Sequence, residues 1–183
     1  MKTIQAFVLI SALVATTAVS AQSQEATIKE KMKVFSGWIG RWQGEGSMQM
    51  GPGEAKKSKV DEKIESKLDG IVLLVEGIGK AMDPATKQES IVHHALAILS
   101  YDPASAQYKF RSHLKDGRST DAWFNIIGEN KFQWGFDIPG NRGKTRYSIT
   151  IDPAAKTWSE IGEFSADGNT WSKFLDMNLK KVE

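Results

Sequence analysis

The chain has 183 residues, 24 basic against 22 acidic side chains, 40% apolar residues, six tryptophans and no cysteine. That is one domain's worth of chain with an ordinary globular balance, and its tryptophan density excludes a disordered polymer. The small net charge and the lack of a long basic run argue against a nucleic-acid partner, and the missing cysteines exclude disulfides, thiolate metal sites and thiol catalysis.

The first segment reads as an address. Lys2 precedes an uncharged, mostly apolar run from Ala6 to Val19, and Val19-Ser20-Ala21 offers small residues for a signal peptidase. Residues 1–21 are therefore expected to be a signal peptide, and residues 22–183 a single secreted or periplasmic domain. The apolar run is short for a membrane span, which needs about 20 residues, so no stable membrane insertion is expected after cleavage. Next, Ile28, Met32 and Phe35 recur among Lys and Glu with helical spacing. This predicts one short amphipathic helix over about 25–37.

From there turn chemistry takes over. Asp-Gly occurs at Asp69-Gly70, Asp116-Gly117 and Asp167-Gly168, and Asp-Pro-Ala begins at Asp83, Asp102 and Asp152. Glycine accepts the positive φ of a tight hairpin, and Asp-Pro opens a type I turn. Weaker breaks fall at Gly51-Pro52-Gly53, Gly128 to Asn130 and Pro139-Gly140-Asn141. Nine turns delimit ten strands over about 41–182. Alternation supports them. Val60, Glu62, Ile64 and Ser66 share one face, while the other carries only charge. Trp42, Gly44 and Gly46, then Phe132, Trp134 and Phe136, then Trp158, Glu160, Gly162 and Phe164 repeat the pattern. Leu175, Met177 and Leu179 continue it from Trp171, with Lys173 as the exception. Sequential hairpins must hide their edges, so an all-β, antiparallel up-and-down barrel is expected, with a two-sheet sandwich as the alternative. A barrel of about ten strands is wide enough to hold a small ligand.

Gly40-Arg41-Trp42-Gln43-Gly44-Glu45-Gly46, placed after a helix and before the hairpins, resembles the G-x-W-x-G-x-G opening of nitrobindin-like barrels, which with the lipocalins and fatty-acid-binding proteins form the calycin group. The later segment Trp158-Ser159-Glu160, Ser165 to Gly168 and Trp171 resembles secreted bacterial domains of unknown function with this barrel. The resemblance implies a carrier or sensor for a small hydrophobic or amphipathic molecule. Nitrobindins hold haem through a histidine on the last strand. Thr170 to Lys181 contains none, which argues against haem, and no cofactor is expected. Fatty-acid-binding barrels grip a carboxylate with inward Arg and Tyr, a part that Arg146 or Tyr147 fills by resemblance, though neighbours on a strand cannot both face inward.

The candidate ligand-binding residues are the aromatics Trp123, Trp134, Tyr147 and Trp158, with Glu160, Arg146 and His93 as polar contacts. Glu62 and Glu160 both fall on inward positions, where a carboxylate needs a partner or a proton. His93 and His94 are adjacent and so face opposite ways, and both faces of their strand are apolar. A two-histidine metal site would require His113 from the neighbouring strand, so no metal is expected. No catalytic signature is present. The residues favour a binder over an enzyme. Two alternatives stay open: a filled barrel acting as a protein-interaction module, and a barrel enzyme using Glu160 or His93 as a base.

Overall fold

A computed structural model describes residues 23–183, and the expected signal peptide lies outside them. Residues 23–32 form helix α1, which continues as a 3₁₀ helix over Lys33–Trp38. The helical segment thus begins two residues before its expected start, and it tightens where Phe35 and Trp38 turn into the protein.

Ten strands follow: β1 (Gly40–Met48), β2 (Lys56–Lys67), β3 (Val72–Met82), β4 (Glu89–Asp102), β5 (Gln107–Leu114), β6 (Ser119–Gly128), β7 (Lys131–Asp137), β8 (Lys144–Asp152), β9 (Thr157–Ser165) and β10 (Ser172–Lys181). Each pairs antiparallel with its chain neighbours, and β1 pairs with β10, so the sheet closes into a barrel. Closure satisfies both edges and decides against the sandwich.

All nine expected turns connect strands. The three Asp-Pro-Ala turns share one construction. Asp83 accepts hydrogen bonds from the Ala85 and Thr86 amides at 2.8 and 3.0 Å. Asp152 does the same for Ala154 and Ala155, both at 2.9 Å, and Asp102 accepts from Ala104 at 3.0 Å. Each turn then passes through a left-handed residue, namely Lys87, Ala106 or Lys156. The aspartate fixes the bend by standing in for a backbone acceptor.

The connections alternate between the two ends. Helix α1 and its 3₁₀ extension close one end, here called the floor. Phe35 and Trp38 are inserted there among Phe124, Phe132 and Trp158, with Phe35–Phe132 ring centroids 5.4 Å apart and Trp38–Trp158 centroids 4.8 Å apart. The Trp42 indole donates to the Trp38 carbonyl at 2.7 Å, which ties the plug to the first strand. Tyr108 donates to the Lys31 carbonyl at 3.0 Å. The opposite end, the mouth, is ringed by the loops after β1, β3, β5, β7 and β9.

Candidate functional site

Strand parity sorts the inward side chains into two tiers. Near the floor, Trp42, Ile64, Leu73, Leu99, Phe132, Ile151 and Trp158 are buried. Toward the mouth, inward-facing Val60, Glu62, Val75, Ala95, Ala122, Trp134 and Tyr147 are only half-buried. Alanine and glycine occupy several inward positions on β3, β4 and β6, so that wall is thin. The inward side chains are therefore fully buried at the floor and mostly half-buried toward the mouth.

The polar centre of the mouth half is a pair of carboxyls. Glu160 on β9 is 7% exposed and accepts a hydrogen bond from the Trp134 indole at 3.1 Å. The Trp158 indole N–H is directed toward the same carboxyl but falls short of hydrogen-bonding geometry, and it has no other partner among the described residues. Burial pushes the Glu160 pKa up to about 7, with the two indoles pulling the other way. Glu62 on β2 comes from across the β1–β10 seam. Its pKa rises to about 8, first because it is buried and then because Glu160 and Asp61 repel its charge. It lies flat over Gly77, where a Cβ would sit 2.5 Å from Glu62 Oε1. Tyr147 stacks on Trp134 with ring centroids 3.9 Å apart and planes 7° apart. Burial and Glu160 both push the Tyr147 hydroxyl to a higher pKa.

Of the seven residues singled out from sequence, Trp134, Tyr147 and Glu160 come together here. Trp158 faces inward as expected but belongs to the floor, where it packs between Trp38 and Trp42. His93 stands across from Gly79 at the mouth rim, with burial and then His94 lowering its pKa. Two expectations are corrected. Trp123 is 40% exposed on the outer wall, because Phe124 beside it takes the inward position. Its ring covers Gly135 of the paired strand, where a Cβ would fall 2.5 Å from Trp123 Cζ2. Arg146 also points outward. It donates to Glu163 at 2.7 Å and lies 4.1 Å above the Trp171 ring, so it cannot grip a carboxylate inside. Sequence reading left out Gly77, whose role appears only once β2 and β3 are paired.

His94 is outward and 2.9 Å from Glu76 Oε1, and His113 shares that outer face. Among the described residues, no three or more His, Asp or Glu side chains gather as a metal site. A separate groove of about 640 Å³ runs over the outside of β1 and β10. None of the seven residues lines it. Asp176, on its wall, is already paired with Lys173 and Asn178.

No family model matches the sequence, and no curated protein does. Among solved structures, the chain is similar to Rv2717c from M. tuberculosis, with a TM-score of 0.58 and 11% identity, over 83% of this chain and 97% of that one. At that identity the likeness concerns the fold alone.

Proposed function

We propose that the protein is a carrier or sensor that holds one small, largely apolar molecule in the mouth half of its barrel. The observation that carries this reading is the contrast between the tiers. Aromatic and aliphatic side chains that point inward stay half-buried above a sealed aromatic floor. Each Å² of apolar surface that a ligand and this wall hide from water contributes about 25 cal/mol gross. The leader-like segment at residues 1–21 favours a role outside the cytoplasm.

The test is mass spectrometry of the protein purified from its own host under native conditions, set against a denatured spectrum. A mass excess that disappears on denaturation is expected. A bare mass, together with no binding of apolar probes, would transfer weight to a second reading. In that reading the outer face of β4, where Val92, Leu96 and Ile98 are exposed, docks another protein.

A further inference from the structure

We infer that the molecule held in the barrel carries a positively charged nitrogen, seated between Glu62 and Glu160 against the Trp134–Tyr147 stack. The inference rests on the carrier reading and names the class of its ligand: an amine attached to an apolar, ring-bearing body.

The interior's polar inventory decides the sign. Two carboxyls approach one another inside the wall, and neither has an ion-pair or cationic partner among the described residues. Arg146, the guanidinium expected to meet a carboxylate inside, is engaged outside with Glu163. A fatty acid or other anion would lie beside two buried acidic groups and find no cation to meet it among the described residues. A protonated amine supplies the missing charge.

The surroundings of Glu160 point the same way. One indole N–H already donates to it, and a second, on the 2%-exposed Trp158, is aimed at it without any partner among the described residues. Donors around a carboxyl favour its ionised form. This carboxylate is thus dressed with donors and denied a counter-ion. Glu62 has no hydrogen-bond donor among the described residues, and its carboxyl lies in the space that Gly77 leaves by lacking a side chain. Beside the carboxyls Trp134 and Tyr147, stacked face to face, supply a flat apolar wall for the ligand's ring-bearing body.

A proton balance follows. With pKa values of about 8 and about 7, the carboxyls of Glu62 and Glu160 still hold protons near neutrality. Seating a cation between them expels protons to solvent. The other titratable groups that bear on this space are Tyr147, His93 at the rim and Asp61 behind the wall. Tyr147 stays neutral here, and Asp61 stays ionised through its bond with Arg41.

The experiment uses three probes on one skeleton: 4-phenylbutylamine, 4-phenylbutan-1-ol and 4-phenylbutanoate, titrated calorimetrically into the protein at near-neutral pH in two buffers of different ionisation enthalpy. The amine is expected to bind at least about tenfold tighter than the alcohol, with the carboxylate weakest and protons released only with the amine. Glu62→Gln and Glu160→Gln, made singly and together, are expected to remove the amine's advantage over the alcohol and the proton release, in variants whose far-ultraviolet circular dichroism matches the wild type. Equal or tighter binding of alcohol or carboxylate, or an amine advantage that survives both substitutions, overturns the inference and leaves the carrier reading standing. Failure of all three probes to bind overturns the carrier reading, and the inference with it.

Discussion

Glu62 and Glu160 were recognisable in the sequence because each falls in step with apolar neighbours on an alternating strand. Their consequence for stability follows from where the protons sit. In the unfolded chain both titrate near 4.5, whereas in the folded chain they titrate near 8 and 7. Between those values the folded state binds more protons than the unfolded one, so stability is whole below the unfolded pKa and falls as pH rises. The slope reaches at most about 1.4 kcal/mol per pH unit for each carboxyl. His93 acts with the opposite sign, but only below its ordinary value of 6.5. Scanning calorimetry should therefore give a lower Tm at about pH 8.5 than at about pH 6.5, and Glu62→Gln should flatten the difference. A wild-type Tm that stays level or rises over this interval would contradict the burial of these carboxyls. Gly77 was invisible to the same reading, because a glycine announces neither its face nor its neighbour. A Cβ there would displace Glu62. Gly77→Ala is accordingly expected to weaken 4-phenylbutylamine more than 4-phenylbutan-1-ol in the same titration.

At the level of elements, parity was reliable where a strand is regular and one-sided, and it failed where either condition lapses. β2 alternates cleanly, with charge on its outer face, and its inward set was legible throughout. β10 contains an irregularity between Lys173 and Leu175, opposite β9. That bulge resets the alternation, which explains why Lys173 looked exceptional and why Trp171 ends up outside under Arg146. β4 has a similar shift opposite Gly79 and Lys80, and both of its faces are apolar, so sequence alone could not orient His93. In β6 an aromatic stands at each of two adjacent positions, Trp123 and Phe124, and only cross-strand packing on Gly135 decides which faces out. The helical plug was legible as an element, but its function was not, since nothing local says which end of a barrel a helix will close. Its packing predicts a large effect. Trp38 is 2% exposed and meets Phe35, Phe132 and Trp158. Trp38→Ala should cost about 3–5 kcal/mol in urea unfolding. A loss under about 1 kcal/mol would mean that the floor is held without the plug.

The molecule as a whole depends on one long-range closure. Every other strand pair is a hairpin between chain neighbours, but β1 meets β10 across almost the entire domain, with Gly44 opposite Leu179 and Gly46 opposite Met177. These glycines belong to the G-x-W-x-G-x-G opening, and at Gly44 an added Cβ would run into the β10 backbone. The motif therefore serves the seam as well as the turn into β1, which gives its spacing a physical reason independent of any ligand. Removing β10 would expose the hydrogen-bonding edges of β1 and β9 together and uncover Trp158 and Ile151 inside. Open, apolar edges pair with other chains. A chain ending at residue 171 is thus expected to aggregate or to lose its cooperative thermal transition, as followed by light scattering and far-ultraviolet circular dichroism. A soluble, cooperatively melting product would mean that β1 and β9, which run in the same direction, can close a nine-strand barrel through a parallel seam. The mouth would then narrow around Glu62 and Glu160, and seam closure would be a matter of ligand space and not of stability.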